Sequence, residues 1–295
     1  MGQIKVFCSG CTEHIGIVDF LRKINPNNEY ECFKLKSSCK KSVRNSIYKD
    51  SDNRLKVRED SSETVVECPI LGKTGKALTE FAKHWVQTFV KRGSSYTGYI
   101  FSDDLDSNPF VKELSAEFID KNYWDIVKKY DSNIRNEISE GLEGINIVIL
   151  LAIPEIESWF LYSWDTAIKE YYIDEQLTDS LALYFKEKVF AEYCDKFEEW
   201  CSKKIYGKHC KISELLMKGF DDVQLFDEIE QNDITMPNMK YLGLETIKTR
   251  HQNGQIKSYN KKKDGPYILS LLDPCILEMN SKYLKSKFDL IREIS

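Results

Sequence analysis

Asp103, Asp104 and Asp106 close one apolar run of this chain, and Glu155 and Glu157 follow another, so carboxylates stand where two strands should end. In an extended strand end, residues two apart face the same side, which lets Asp104 and Asp106 share a ligand while Asp103 points away. Paired carboxylates suit Mg²⁺, a hard ion that takes oxygen donors and keeps waters that a substrate phosphate can replace. The plainer use of the same residues is a polar turn, in which Asp side chains bond nearby backbone. In a helix, Glu155 and Glu157 would lie about 200° apart around the axis, so one of them should face the sheet rim. Either can also serve the helix dipole alone.

The elements that would position these groups alternate along the chain. Ile4 to Cys8 reads as a strand and Ser9-Gly10-Cys11 as a tight turn, after which Thr12 can cap a helix through Ile15, Val18 and Leu21, with Glu13 in its first turn. Asn25-Pro26-Asn27-Asn28 ends that helix, and Tyr30 to Leu35 reads as a second strand. Ser37 to Ser62 is polar and loop-like, and Val65 to Ile70 has a short strand pattern. Leu78, Phe81, Ala82, Trp85 and Phe89 give a helix over Gly75 to Lys91. Gly98 to Phe101 reads as the strand feeding the first acidic cluster, Phe110 to Arg135 as a helix, and Asn146 to Ala152 as a central strand buried on both faces. Strand and helix patterns in alternation predict an α/β fold with a mostly parallel sheet flanked by helices.

From Tyr171 to Met239 the periodicity is helical throughout, which predicts a core over residues 1–170, a helical insertion over 171–240 and a segment over 241–295 that returns to the core. A compact chain of 295 residues buries roughly 75% of its unfolded-state surface, so a sizeable core is expected. The start of the chain lacks a signal-peptide core, and Val6 stands where myristoylation wants Ser or Thr. A soluble cytoplasmic protein, not bound to membrane, is expected. Nine cysteines, an odd number, argue for reduced thiols.

Net charge is only −5, yet its sign is sorted along the chain. Lys34 to Lys49 and Lys248 to Lys263 contain no acid, whereas acids gather in Glu187 to Glu199 and Asp221 to Asp233. The second basic run interleaves His251 and Tyr259, a composition that can hold a phosphate backbone and stack a base, although a solvated face explains such a run equally well.

Gly10-Cys11-Thr12-Glu13, Asp104-Leu105-Asp106 and Ile153-Pro154-Glu155-Ile156-Glu157-Ser158-Trp159 together resemble the Toprim-like (Rossmann-like) fold. More narrowly, the chain resembles a bacterial group of Toprim-like proteins encoded beside ATPases in anti-phage defence loci, whose late Tyr-x-Lys and Gly-Pro element is similar to Tyr259-Asn260-Lys261 and Gly265-Pro266. The likeness covers residues 1–24, 98–165 and 255–274. It implies a Mg²⁺-dependent (or Mn²⁺-dependent) phosphodiester reaction on DNA or RNA, with an ATPase partner and the option of a homo-oligomer. Asp104 and Asp106 would hold metal, Glu13 would act as acid or base and also count among the metal ligands, and Glu157 would be a further metal or water-positioning ligand. Lys257, Lys261 and Lys262 would contact phosphate. The chain departs from the pattern at Ser9, where the family's first catalytic Glu is expected. A hydroxyl is neither a comparable base nor a strong ligand, so either another acid compensates or the chain is a catalytically silent module that recognises a phage component or holds its ATPase.

Cys8-Ser9-Gly10-Cys11 is also a Cys-x-x-Cys at a strand-to-helix turn, open to readings as a redox pair, as a zinc site with His14, or as structural thiols. Gly72 to Lys76 is not a phosphate loop, because Glu67 stands where the leading glycine belongs, and it reads instead as a helix start. His84 reads as structural or surface beside Trp85.

Overall fold

The computed structural model describes residues 2–8, 10–33, 47–49, 55–59, 62–65, 73–105, 116–153, 155–172, 259, 261–262 and 264–294. Four strands form one all-parallel sheet: β1 (Gln3–Phe7), β2 (Glu29–Cys32), β6 (Tyr96–Asp104) and β7 (Asn146–Ala152), in the order β2-β1-β6-β7. Helices α1 (Cys11–Ile24), α2 (Gly75–Lys91), α3 (Ala116–Ile138), α4 (Glu157–Tyr162) and α5 (Lys169–Tyr172) follow the strands, with a π-helical turn at Trp164–Ile168. Helices α6 (Gly265–Leu271), α7 (Pro274–Asn280) and α8 (Lys282–Glu293) close the chain. This is the expected α/β architecture, a Rossmann-like parallel sheet with helices packed on it.

The apolar runs explain the sheet. Six of the seven residues of β7 are buried, as are Ile4 to Phe7 of β1 and Gly98 to Asp103 of β6, so the strands are covered on both faces. Strand β6 is longer than its apolar run suggests, and Asp103 and Asp104 belong to the strand itself. Chain order departs from spatial order at one place: from β1 the chain goes to β2 on one side, whereas β6 lies on β1's other side. The β1–β6 crevice at the carboxyl ends is therefore the topological switch point, where ligands of open α/β sheets bind.

Ser37 to Ser62 differs from the loop expected there. It contains β3 (Ile47–Lys49) and β4 (Leu55–Glu59), which join β5 (Ser62–Val65) in an antiparallel ribbon. Cross-strand backbone bonds join these short strands, whose many polar residues escape a search by hydrophobicity. The helix expected over Phe110 to Arg135 is described as α3 from Ala116 on, and residues 106–115 and 173–258, the latter including most of the expected helical insertion, lie outside the described residues.

Packing on the site side centres on α1. Phe20 sits between Trp159 and Phe288, with ring centroids 5.6 and 5.7 Å away, and all three rings are buried. Burying one such ring contributes about 1.5–3 kcal/mol. Gly16 allows α1 and α6 to touch: a Cβ there would stand 2.4 Å from the Pro266 carbonyl oxygen. Helix α8 is anchored at both ends. Asn25 and Asn28 donate side-chain hydrogen bonds to the Ile291 and Ile294 carbonyls at 3.2 and 2.7 Å, which satisfies helix-end acceptors. Near its start, the Tyr283 hydroxyl accepts from the Leu151 backbone N–H at 3.2 Å on the outer edge of β7, beside the buried Lys287–Asp131 ion pair. Such a cover blunts an otherwise open strand edge.

Candidate metal-binding acidic site

Three strand ends deliver the acids to one place. The turn after β1 carries Glu13, the end of β6 carries Asp104, and the segment after β7 carries Glu155 and Glu157. Asp103 and Asp104 divide as strand alternation demands. The Asp103 carboxylate turns away and accepts from the Gly75 N–H at 2.7 Å, so it caps α2, whose first residue has φ +53° and suits glycine. The Asp104 Oδ1 accepts from the Ile156 N–H at 2.9 Å and ties the post-β7 segment to the end of β6.

Lys261 completes the cluster from the far end of the chain. Its ammonium donates to Glu157 Oε2 at 3.0 Å and to Glu155 Oε2 at 3.4 Å, and the Tyr259 hydroxyl donates to Glu157 Oε1 at 3.1 Å. Glu157 is fully buried and Glu155 nearly so, whereas the Lys261 side chain is 38% exposed and gives the cluster a face toward solvent. Two small-residue contacts hold this segment. The Thr12 hydroxyl donates to the Lys261 carbonyl at 3.1 Å, and a Cβ on Gly265 would meet that same hydroxyl oxygen at 2.8 Å.

Several expectations change here. Thr12 does not cap α1; Gly10 is the cap residue, and the Thr12 side chain is spent on the Lys261 backbone. Glu155 and Glu157 both face the site, because α4 begins only at Glu157 and helical spacing does not apply across 155–157. Lys261, expected on phosphate, is bonded to carboxylates, and Lys262 beside it is exposed. Glu13, Asp104 and Glu157 are brought together around Lys261, while Ser9, Asp106 and Lys257 lie outside the described residues.

Among the described residues, the cluster brings together more negative than positive charge. Burial pushes the Glu157 carboxyl up to about 7; the Lys261 ammonium opposes the shift, and Glu155 and Glu13 add to it. Burial works against the Lys261 ammonium, but Glu157, Asp104, Glu155 and Glu13 outweigh it and raise its pKa. Hard oxygen donors in excess over one ammonium fit a divalent cation of the Mg²⁺ type. In metal-free protein the sign of the resulting pH effect is unusual for an acid. The folded state holds a proton on Glu157 between pH 4.5 and about 7 that the unfolded chain has lost, so stability falls as pH rises through that window. The fall should be on the order of 3 kcal/mol and level off above the upper pKa. Denaturant unfolding in EDTA across this range, with Glu157→Gln subtracted, should show it; a flat difference would contradict the burial of a titrating carboxyl.

Gly10 sets the position of Glu13. The Glu13 carboxylate folds back over it so closely that a Cβ would stand 2.0 Å from Oε2. Only the end of a flexible side chain opposes the new methyl, so Gly10→Ala should fold with nearly unchanged stability while driving the Glu13 carboxylate off the site. We expect cleavage to fall about 10–100-fold in this variant, the scale set by loss of a well-positioned acid or base. Unchanged activity would remove Glu13 from the reaction.

On the far side of the β1–α1 turn, Cys8 lies against Cys32 of β2, with the sulfurs 3.9 Å apart, and the buried His14 stands beside them. Burial lowers the His14 pKa to about 4, with the nearby Lys5 ammonium adding to the effect and a hydrogen bond to the Phe33 backbone opposing it. The sequence reading paired Cys8 with Cys11, whose side chain lies outside the described set; Cys32 was missed, since only strand order reveals it as a neighbour of Cys8.

Comparison with known proteins gives no family, because no family model, curated protein or solved structure matches this chain. Among the described residues, no helix is long and apolar enough to cross a membrane. The fold and the site therefore define the class, a Rossmann-like α/β protein with a carboxylate-rich centre at its switch point.

Proposed function

We propose that this chain is a Toprim-like protein that cleaves nucleic acid phosphodiester bonds with the help of Mg²⁺ or Mn²⁺, as an effector of bacterial anti-phage defence. The observation that carries this reading is the convergence of Glu13, Asp104, Glu155 and Glu157 from three strand ends on the switch point, with Lys261 among them. Asp104, Glu157 and Glu155 are the donors that would hold the ion, and Asp106 follows Asp104 in sequence. When bound, the ion supplies charge neutralisation at the phosphate and an acidified water. The chain's own residues do the rest. Glu13, held over Gly10, is placed to take or give the proton at the attacking or leaving oxygen. Lys261, partly exposed, offers its ammonium to a non-bridging phosphate oxygen, and exposed Lys262 adds sequence-independent affinity for the backbone. The defence role and the ATPase partner rest on the family resemblance.

A second reading has an observation of its own. Lys261 already neutralises Glu155 and Glu157 from within the chain, as expected of a silent module that keeps the scaffold and uses it to bind a phage component or the ATPase. Incubating the purified chain with plasmid DNA and structured RNA, in Mg²⁺, Mn²⁺ or EDTA, separates the two. Cleavage that requires the metal supports the nuclease. Inertness of a folded chain, with and without an ATPase encoded beside it, supports the module.

A further inference from the structure

We propose that Cys8, His14 and Cys32 form a second metal centre, a thiolate–imidazole site for Zn²⁺ that fastens the first turn of α1 to the end of β2. This centre is independent of the acidic site and would stand if the nuclease reading fell. Three observations carry it. The ligand atoms of the three residues all lie within 4.8 Å of one another, and the two sulfurs are 3.9 Å apart. Two sulfurs bound to one zinc at about 2.3 Å and the tetrahedral angle are about 3.8 Å apart, so the thiols already span one edge of the coordination tetrahedron.

The imidazole is the second observation. His14 is more than nine-tenths buried, and its Nδ1 is buried with no hydrogen-bond partner among the described residues, a costly condition for a polar atom in the interior. The Phe33 backbone bonds the ring, which by elimination takes Nε2 as the donor and leaves the Nδ1 lone pair for a ligand. A backbone carbonyl on the far nitrogen is the usual outer partner of a metal-bound histidine, fixing its tautomer and orientation.

The third observation is placement. Cys8 directly follows β1, Cys32 ends β2, and His14 lies in the first turn of α1, so one ion would fasten the helix to two strands that already pair with each other. Two thiolates and a neutral imidazole cancel the charge of a divalent ion and select a thiophilic metal over Mg²⁺. The described residues supply three donors, and a water would complete the tetrahedron. Glu13 precedes His14 on the same turn, so this ion would also steady the acid that serves the other centre.

The test begins with protein purified from zinc-supplemented cells without chelator, its metal content measured by mass spectrometry in wild type, in Cys8→Ser/Cys32→Ser and in Cys275→Ser. We expect the double variant to lose one zinc per chain and the Cys275→Ser control to lose none. Titration of metal-free protein with Co²⁺ should give thiolate-to-cobalt charge-transfer absorption that the double variant lacks. His14→Ala should weaken zinc at least as much as loss of an outer partner does, about 10–100-fold. Should the double variant fail to fold, wild type decides alone: Zn²⁺ should slow iodoacetamide alkylation of Cys32, a chelator should restore it, and Cys275 should respond to neither. Equal zinc in wild type and double variant, alkylation of Cys32 indifferent to zinc, or recovery of Cys8 and Cys32 as a disulfide would each overturn the proposal.

Discussion

Asp104→Asn should lower metal-dependent cleavage about 10³-fold or more while leaving the fold intact. The separation follows from geometry. Asp104 Oδ1 accepts from the Ile156 N–H, and the amide oxygen of Asn can accept the same bond at the same place, so the post-β7 segment stays where it is. What disappears is the charge, on the carboxylate that closes β6 at the switch point and that also acts on Lys261. Loss of one well-placed electrostatic group costs about 10²–10³ in rate, and loss of a metal ligand removes the ion's contribution as well. Thermal melting within 2–3 °C of wild type, with cleavage lost, is the expected pair of results. A variant that cleaves like wild type would remove Asp104 from the site.

Lys261→Met should have the largest effect on stability. The substitution keeps most of the aliphatic stem and removes the only ammonium that the described residues bring to Glu155 and Glu157, both of them buried. Removing one partner of a buried ion pair typically costs about 3–5 kcal/mol where the remaining group stays charged, so the full loss is expected above the pH at which Glu157 takes up a proton. For a chain of this size that is a drop in Tm of about 10 °C. Two rescues should follow from the same cause. Glu157→Gln in the Lys261→Met background should return a large part of the loss, since the fully buried charge is gone. Mg²⁺ should also stabilise Lys261→Met more than it stabilises wild type, because the ion then meets carboxylates that no longer share the Lys261 ammonium. Calorimetric melting with and without Mg²⁺ checks both, and a variant as stable as wild type in EDTA would mean that the ion pair contributes nothing.

Much of the architecture could be read from residue order alone, for a physical reason. Strands buried on both faces must be continuously apolar, so Asn146 to Ala152 and the run into Asp103 announced β7 and β6, and the carboxylates that interrupt them marked the strand ends. Helix α2 was legible to the residue because Leu78, Ala82 and Val86 recur at helical spacing. What could not be read depended on how elements meet. Glu155 joined Glu157 on Lys261 because the helix begins only at Glu157, so the helical spacing that would set the two acids on opposite sides does not apply. Thr12 has the chemistry of a cap, but its hydroxyl serves a carbonyl 249 residues further on. Lys261 sat in a basic run that fits a phosphate-binding surface equally well; its bonds to Glu155 and Glu157 show that the end of the run lies inside the acidic site. Cys32 carried no local signal, since its nearness to Cys8 comes from the register of β1 with β2. The β3–β5 ribbon was hidden because its strands are short and only Leu55 and Val57 alternate with polar neighbours.

The central claim is that the acids at the switch point hold a divalent cation, and cleavage tests it only if no trigger or partner is missing. Binding tests it without that condition. We would titrate Mn²⁺ into wild type, Asp104→Asn, Glu157→Gln and Cys8→Ser/Cys32→Ser, following the loss of free-ion signal by electron paramagnetic resonance at neutral pH. The account predicts saturable binding in wild type and in the cysteine variant, weakened at least 10-fold by either acid substitution. A folded wild-type chain that binds no Mn²⁺ at millimolar concentration would show that Lys261 closes the cluster as a structural ion pair, and would contradict the proposed function.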